Sequence, residues 1–312
     1  MKIAIIGAGA MGCLYGAYLS RNNEVTMIDS YEPQVRAINE HGISVTECDG
    51  SVVRYPDVRA CLSGECNEQP GLVILFVKST YSKAALDANR ALFGPGTIVM
   101  TLQNGAGNDR MIAGYADAKN IIIGTTKHNC VNLGNGCCRH SGVGLTTIGS
   151  NHDSHDILET AAALFNESGL ETDISDDIQR IIWSKLFVNL SINTFTAITE
   201  TPIGYMLENK YAWDFAKRLV YEAVDVAEED GTYFDRREVL ESVRQVCEAA
   251  KDGYSSMYQD RKRGVRTEID AINGAIVEQA KIYGVPVPYN SLIVDLIHAM
   301  EGADAYRREK EG

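Results

Sequence analysis

Residues 7–12 read Gly-Ala-Gly-Ala-Met-Gly, and no other stretch limits the fold as tightly. The run Lys2 to Ile6 before it is short, apolar and β-branched, as a buried strand requires. After it, Cys13, Leu14, Tyr15, Ala17 and Leu19 follow a helical pattern, and Glu24 to Asp29 makes a second strand. That strand ends on an acid 17 residues beyond the last glycine of the motif. G-x-G-x-x-G between strand and helix, with such an acid downstream, is the fingerprint of a dinucleotide-binding βαβ unit. Gly7 permits the tight turn, Gly9 lets a pyrophosphate reach the backbone, and Gly12 lets helix and strand close on one another. The first helical turn, with Ala10 and Met11, then offers free N–H groups and a positive dipole end to phosphates.

Asp29 stands where a carboxylate would bond the adenosine ribose hydroxyls and repel a 2′-phosphate. Ser30 and Tyr31 supply no cation to neutralise such a phosphate, so NAD(H) is favoured over NADP(H). Arg36 is the nearest base.

Further apolar strands are expected at Gly71 to Val77, Gly96 to Leu102, Ile121 to Thr126 and Gly144 to Ile148, with a helix over Ser82 to Leu92. Alternation of this kind specifies an α/β Rossmann-type domain with a mostly parallel sheet. The texture changes after Gly169. Ile178, Ile181, Ile182, Leu186, Val188 and Ile192 recur at helical spacing, and Tyr211 to Glu229, Arg236 to Ala249 and Glu268 to Tyr283 read as helices. The expected organisation is a dinucleotide-binding domain over residues 1–173 and an all-α substrate-binding and catalytic domain over 174–312.

Composition narrows the partners. With 45% hydrophobic and 23% charged residues the chain reads as globular, and a net charge of -13 disfavours nucleic acid or an anionic membrane. Leu72 to Val77, the longest apolar run, is too short to span a bilayer. With no export signal apparent and eight cysteines in no regular framework, a cytoplasmic location is expected. The helical domain's apolar faces make a homodimer plausible.

Reduction of a ketone needs a proton donor for the developing alkoxide and fixed polar groups for the substrate. Lys185, Asn189 and Asn193 are spaced i, i+4, i+8 and line one helix face within the otherwise apolar stretch Ile181 to Ile198. Such groups are costly there unless they face a cavity or each other. A partly desolvated lysine suits the acid's role, because burial draws its pKa toward neutrality. The plainer alternative is that Lys185 reaches solvent and the asparagines bond backbone.

At this point the chain resembles the ketopantoate reductase (2-dehydropantoate 2-reductase) family over essentially its whole length. The resemblance rests on IIGAGAMG, on Lys78 in VILFVKS, on Asn104-Gly105 in TLQNGAGN and on Trp183, Lys185, Leu186 and Asn189 as W-x-K-L-x-x-N. It rests further on Ser255 to Ile276, SSMYQDRKRGVRTEIDAINGAI. The resemblance implies Lys185 as general acid, with Glu268 holding that lysine and the substrate hydroxyl. It implies Asn104 and Ser256 on the substrate near the nicotinamide, and Asn189 and Asn193 on its distal polar groups. Lys78 is implied close to cofactor and substrate carboxylate, and Asn104 also lies on the cofactor side. The implied fold is a Rossmann domain followed by a helical domain, with a small 2-keto acid between them. The implied reaction is NAD(P)H-dependent reduction to a 2-hydroxy acid, above all 2-dehydropantoate to pantoate, on the route to pantothenate and coenzyme A.

Asp29-Ser30 departs from the arginine that NADP(H)-using members tend to carry. It keeps open an NAD-dependent D-2-hydroxyacid dehydrogenase for bulky, mandelate-like substrates. β-Hydroxyacid and phosphogluconate dehydrogenases place their lysine in a glycine-rich helix start, unlike Ile181-Ile182-Trp183 here. A dinucleotide sensor without catalysis would have no need of Lys185, Asn193 and Glu268. His128, Cys130, Cys137, Cys138 and His140 lack the spacing of a zinc site, so no metal is expected. The run Arg261 to Arg263 reads as a solvated loop face, with one arginine a possible partner for a substrate carboxylate.

Overall fold

The computed structural model describes residues 1–311, which gather into two compact units. The first comprises Met1–Gln103 and Asn108–Ile178; the second takes Asn104–Gly107 together with the chain from Gln179 onward.

In the first unit β1 (Lys2–Ile6) leads to α1 (Ala10–Leu19), β2 (Glu24–Asp29) and α2 (Glu32–His41). Three short strands follow, β3 (Ile43–Thr46), β4 (Val52–Tyr55) and β5 (Arg59–Leu62), then β6 (Leu72–Leu75) and α3 (Ser82–Ala88). The remainder is β7 (Ile98–Thr101), α4 (Asn108–Ile112), β8 (Ile121–Thr126), β9 (Asn129–Gly134), β10 (Cys137–Gly142), β11 (Thr146–Gly149), α5 (His155–Glu167) and β12 (Thr172–Ile174). Eight strands form one sheet in the order β12-β11-β8-β7-β6-β1-β2-β5, parallel except where β11 meets β8. Strand order therefore reverses at β1, with β2 on one flank and β6 on the other. Ligands of open parallel sheets bind at the carboxyl ends of strands beside such a reversal, and that is where residues 7–12 lie.

A second sheet, β4-β3-β10-β9, was not apparent from apolar patterning. It explains α1. AMGCLYGAYL is buried from Gly12 through Leu19, because the helix packs on the large sheet with one side and on β3, β9 and β10 with another. A helix covered in this way has no polar face to show. At Gly16 a Cβ would come within 2.5 Å of the Met27 sulfur, so contact between helix and sheet is close.

The second unit is helical: α6 (Ile178–Thr199, entering from the first unit), α7 (Tyr205–Glu208), α8 (Lys210–Glu229), α9 (Arg236–Ala249), α10 (Ser256–Lys262), α11 (Asn273–Tyr283) and α12 (Pro288–Glu311). Local signals set the ends. Asn209 caps α8 by accepting from the N–H groups of Tyr211 and Ala212, Asp235 caps α9 in the same manner, and Gly284 closes α11 at φ 72°. Trp183, Leu186, Phe187 and Leu190 of α6 pack with Val220, Val224, Val243, Ile276 and Ile297 in one core. By length and hydropathy α6 passes as a membrane span, but most of it is buried inside the protein, as a core helix is.

Beneath α6 lies a buried polar network. Glu222 accepts from the N–H groups of Tyr289 and Asn290 in the first turn of α12 and from the Asn290 amide at 2.8 Å. Asn273 donates to the Asn290 side chain at 3.0 Å and to the Leu190 carbonyl at 3.2 Å. The Asn of the I-N-G signature thus fixes the backbone of α6 beside Asn189.

Candidate functional site

The glycine motif has the geometry its spacing demands. Gly7 sits at φ 107°, and a Cβ there would stand 2.6 Å from the Val77 nitrogen. A Cβ on Gly12 would stand 1.9 Å from the Gly7 carbonyl oxygen, so the helix rests directly on the turn. On Gly9 a Cβ would meet nothing within 4 Å. Packing inside the protein therefore accounts for glycine at positions 7 and 12 but not at 9, which leaves the outward approach to the backbone clear. Gly9 is the N-cap of α1 and has no side chain to satisfy the first-turn N–H groups. Gly9, Ala10 and Met11 are the partly exposed residues of this otherwise buried segment. Those features fit a dinucleotide pyrophosphate.

Asp29 also shapes the turn. Its carboxylate accepts from the Ala8 N–H at 2.7 Å and from the Tyr31 N–H at 2.9 Å, which ties the end of β2 to the glycine loop. Arg36 is exposed on α2, 4.0 Å from Glu40. Lys78, half-buried, opens the 3₁₀ turn Ser79–Tyr81 immediately after Val77, the residue that packs on Gly7.

Lys185, Asn189 and Asn193 lie in successive turns of α6. Three hydroxyls of the helix bond within it: Ser191, Thr194 and Thr196 lie within reach of the carbonyls of Phe187, Leu190 and Ile192. Asn193 is only 9% exposed, yet among the described residues neither its side-chain amide nor that of Asn189 has a hydrogen-bond partner. The backbone-bonded alternative for the two amides is not what the helix adopts. Burial pushes the Lys185 ammonium down to about 8 from the usual 10.5, while the Glu268 carboxylate acts in the opposite direction.

Glu268 is held directly by one side chain, and its neighbours in sequence are held by two more. Asn104 donates its amide to the Glu268 carboxylate at 3.1 Å. The Asn-Gly dipeptide makes this possible: Gly105 at φ 102° lies so close to the 3₁₀ turn Ile269–Ala271 that a Cβ would be 2.2 Å from the Ala271 carbonyl. Glu301 accepts from both the N–H and the hydroxyl of Thr267 at 2.8 Å, on one side of Glu268. His298 bridges Glu301 at 3.1 Å and Asp270 at 2.8 Å on the other. Burial works against charge on His298, but the Asp270 and Glu301 carboxylates raise its pKa overall. Sequence reasoning missed Glu301 and His298, which lie some 30 residues away and carry no local motif.

The remaining expectations fall as follows. Ser256 is the exposed first residue of α10; Ser255 before it caps the helix, its hydroxyl 2.6 Å from that of Thr196. Among the described residues no group of three or more metal-ligating side chains converges. His140 contacts His128 at 3.0 Å and Glu47 at 3.2 Å, and Tyr18 donates to the same glutamate. The loop-face reading of Arg261 does not hold: its side chain is 9% exposed, pinned to Asp304 at 2.8 Å and to the Ala197 carbonyl.

Comparison with known proteins follows the same lines. Residues 3–153 match the family model "Ketopantoate reductase PanE/ApbA", and residues 177–301 match its C-terminal companion. A 2-dehydropantoate 2-reductase of Halobacterium salinarum is 34% identical, with 95% of this chain and 98% of that protein covered. One from Streptococcus pyogenes is 31% identical, with 96% and 98% covered. Among solved structures, a ternary complex of D-mandelate dehydrogenase with NADH and anilino(oxo)acetate superposes with a TM-score of 0.91 at 33% identity, covering 98% of this chain and 100% of that one. A glycine turn cleared for a nucleotide on one unit, a desolvated lysine with its glutamate on the other, and matches spanning both place the chain in the ketopantoate reductase family of NAD(P)H-dependent oxidoreductases.

Proposed function

We propose that the protein reduces a 2-keto acid to the 2-hydroxy acid with NADH as the preferred donor, and that its substrate is 2-dehydropantoate, giving pantoate for pantothenate synthesis. The supporting observation is Lys185, brought by burial to about 8 and paired with a glutamate that Asn104 orients. A group of that acidity is mostly protonated at neutral pH yet gives up its proton readily. The nicotinamide supplies the hydride to the carbonyl carbon. Lys185 delivers the proton to the carbonyl oxygen and is reprotonated from solvent. Glu268 holds the ammonium in line and accepts from the nascent hydroxyl. Asn189 and Asn193 offer their amides to the substrate's distal oxygens, with Ser256 at the start of α10 and Asn104 on the nicotinamide side. Lys78 adds positive charge for the substrate carboxylate. In this reading residues 1–173 hold the dinucleotide and 174–312 carry the acid.

The preference for NADH rests on Asp29. Bound to two backbone N–H groups, the carboxylate is fixed at the end of β2, where it would oppose a 2′-phosphate, and Arg36 is drawn toward Glu40. The same residue favours a second reading, in which the substrate is a bulky 2-keto acid and the product a D-2-hydroxy acid. The likeness to an NADH-bound D-mandelate dehydrogenase points the same way.

Initial rates with NADH and NADPH, on 2-dehydropantoate and on phenylglyoxylate, separate the readings. Turnover of 2-dehydropantoate with NADH at least tenfold above NADPH is the expected result. Preference for phenylglyoxylate selects the second reading, and activity on neither refutes both. Lys185→Met should lower kcat by roughly 10²- to 10⁴-fold without changing NADH affinity.

A further inference from the structure

Two short runs hold an unusual share of the chain's bases: four of six residues over 261–266 (RKRGVR) and three of four over 307–310 (RREK). The fold brings them together. The end of α6, α10 and the last turns of α12 enclose a cavity of about 260 Å³ lined by Arg261, Lys262, Arg307 and Arg308 against the acids Glu200 and Asp304. A second cavity of about 260 Å³ adjoins it and shares Arg261, Asp304 and Arg308. Neither is lined by Lys185, Glu268 or Asn104.

Arg261 is fixed, whereas Arg307 and Arg308 are exposed on the last turns of α12. Arg261 is gripped by Asp304 and the Ala197 carbonyl, and its Nε is buried without a hydrogen-bond partner. Arg307 approaches the other oxygen of Asp304 at 3.0 Å. Arg308 lies across Gly264, which sits at φ 68°; a Cβ there would be 1.9 Å from a guanidinium nitrogen. The C-terminal dipoles of α10 and α12 each favour a base in the last turn, by about 0.3–1 kcal/mol. That preference explains exposed bases at two helix ends. It does not explain why Arg261, a guanidinium nine-tenths buried, is held by Asp304 and the Ala197 carbonyl at the wall of a cavity that Lys262, Arg307 and Arg308 also line.

We propose that this cavity is a binding site for a small phosphate-bearing anion, separate from the nucleotide and keto-acid sites. Planar guanidinia match tetrahedral oxyanions with paired donors, and Lys262 adds a point charge. The cavity admits a single phosphate group with a small body, not a polymer, and its four bases outnumber the acids Glu200 and Asp304. Asp304 binds Arg261 and Arg307 together and so keeps the forks in place.

The test is calorimetric titration of the NADH-saturated protein with inorganic phosphate, pyrophosphate and glycerol phosphate, at ionic strength held constant with sodium chloride. Saturating NADH removes the glycine turn as a competing phosphate site. One saturable site is expected, weakened at least tenfold in Arg307→Glu and in Arg308→Glu, whose exposed side chains can be reversed without disturbing the core. Tighter binding of glycerol phosphate than of inorganic phosphate identifies an ester as the ligand, and the reverse identifies the free ion. Absence of saturable heat in the wild-type protein, or equal affinity in both variants, overturns the proposal.

Discussion

Glu268→Gln isolates the charge that opposes desolvation of Lys185. The amide keeps the shape, and its oxygen can still accept from Asn104. In the wild-type protein Lys185 stands at about 8 instead of 10.5, which at about 1.4 kcal/mol per unit of pKa is about 3 kcal/mol against the ammonium. That balance already includes the favourable pull of Glu268. An opposite charge within about 4–6 Å moves a pKa by roughly one to three units, so its loss should bring the lysine to roughly 5–7. At pH 7 a lysine with a pKa of about 8 is roughly nine-tenths protonated, and one at about 6 roughly one-tenth. In the proposed reaction keto-acid reduction uses the ammonium, so kcat/KM should fall as pH rises through the pKa of Lys185, near 8 in the wild type. The reverse oxidation uses the free amine and should rise through the same value. In Glu268→Gln the reductive limb should move roughly one to three units toward acid, with about a tenfold loss of kcat/KM at pH 7. Initial rates of NADH oxidation from pH 5 to 9.5 measure both. A limb that stays near 8 in the variant would show that Lys185 is not the titrating acid, or that Glu268 does not govern it.

Two further outcomes test the lysine and the glycine turn. Lys185→Met, although impaired in kcat, should be more stable than wild type by up to about 3 kcal/mol at pH 7. Because the folded-state pKa is depressed, the ammonium's penalty is fully present below about 8 and gone once pH has risen past 10.5. Urea midpoints at pH 7 and pH 10.5 should therefore differ between the two proteins only at the lower pH, and equal midpoints at pH 7 would refute a desolvated ammonium. Gly12→Ala places a carbon 1.9 Å from the Gly7 carbonyl oxygen, so helix α1 or the turn must shift. NADH binding followed by fluorescence should weaken at least tenfold while Lys185 keeps its titration; unchanged affinity would mean that the turn is not the pyrophosphate site.

What the sequence discloses and what it hides divide along a physical line. Gly12 and Asp29 announce themselves because their partners lie within one βαβ unit or just beyond it, so spacing along the chain is spacing in the fold; Gly7 belongs to the same motif, although it packs on Val77 after β6. Lys185, Asn189 and Asn193 stand out for a related reason: an α-helix converts i, i+4, i+8 into a row, and polar groups in an apolar helix contrast with their neighbours. The small sheet offered no such contrast. The strand sequences NCVNLG and CCRHSG lack apolar alternation, and their one clear mark is Asn135-Gly136 between them, both at positive φ, 51° and 73°, as a two-residue hairpin turn requires.

The support of Glu268 was hidden for the opposite reason. Asn104 reaches it across 164 positions of sequence, and Glu301 reaches Thr267 across 34. Neither contact follows from any local period; each exists because α12 and the Asn-Gly loop pack where they do. Arg261 makes the same point in reverse. Flanked by Asp260, Lys262 and Arg263, it reads as surface, since consecutive charges normally share solvent. Burial became possible only because Asp304, 43 residues on, supplies a carboxylate at the far side of α10. An isolated buried guanidinium would not be tolerated, so the charge of Asp304 decides where Arg261 can point. The groups proposed for catalysis can thus be read from their own helix or turn, while the groups that support them, and the cationic cavity, are properties of the packed unit.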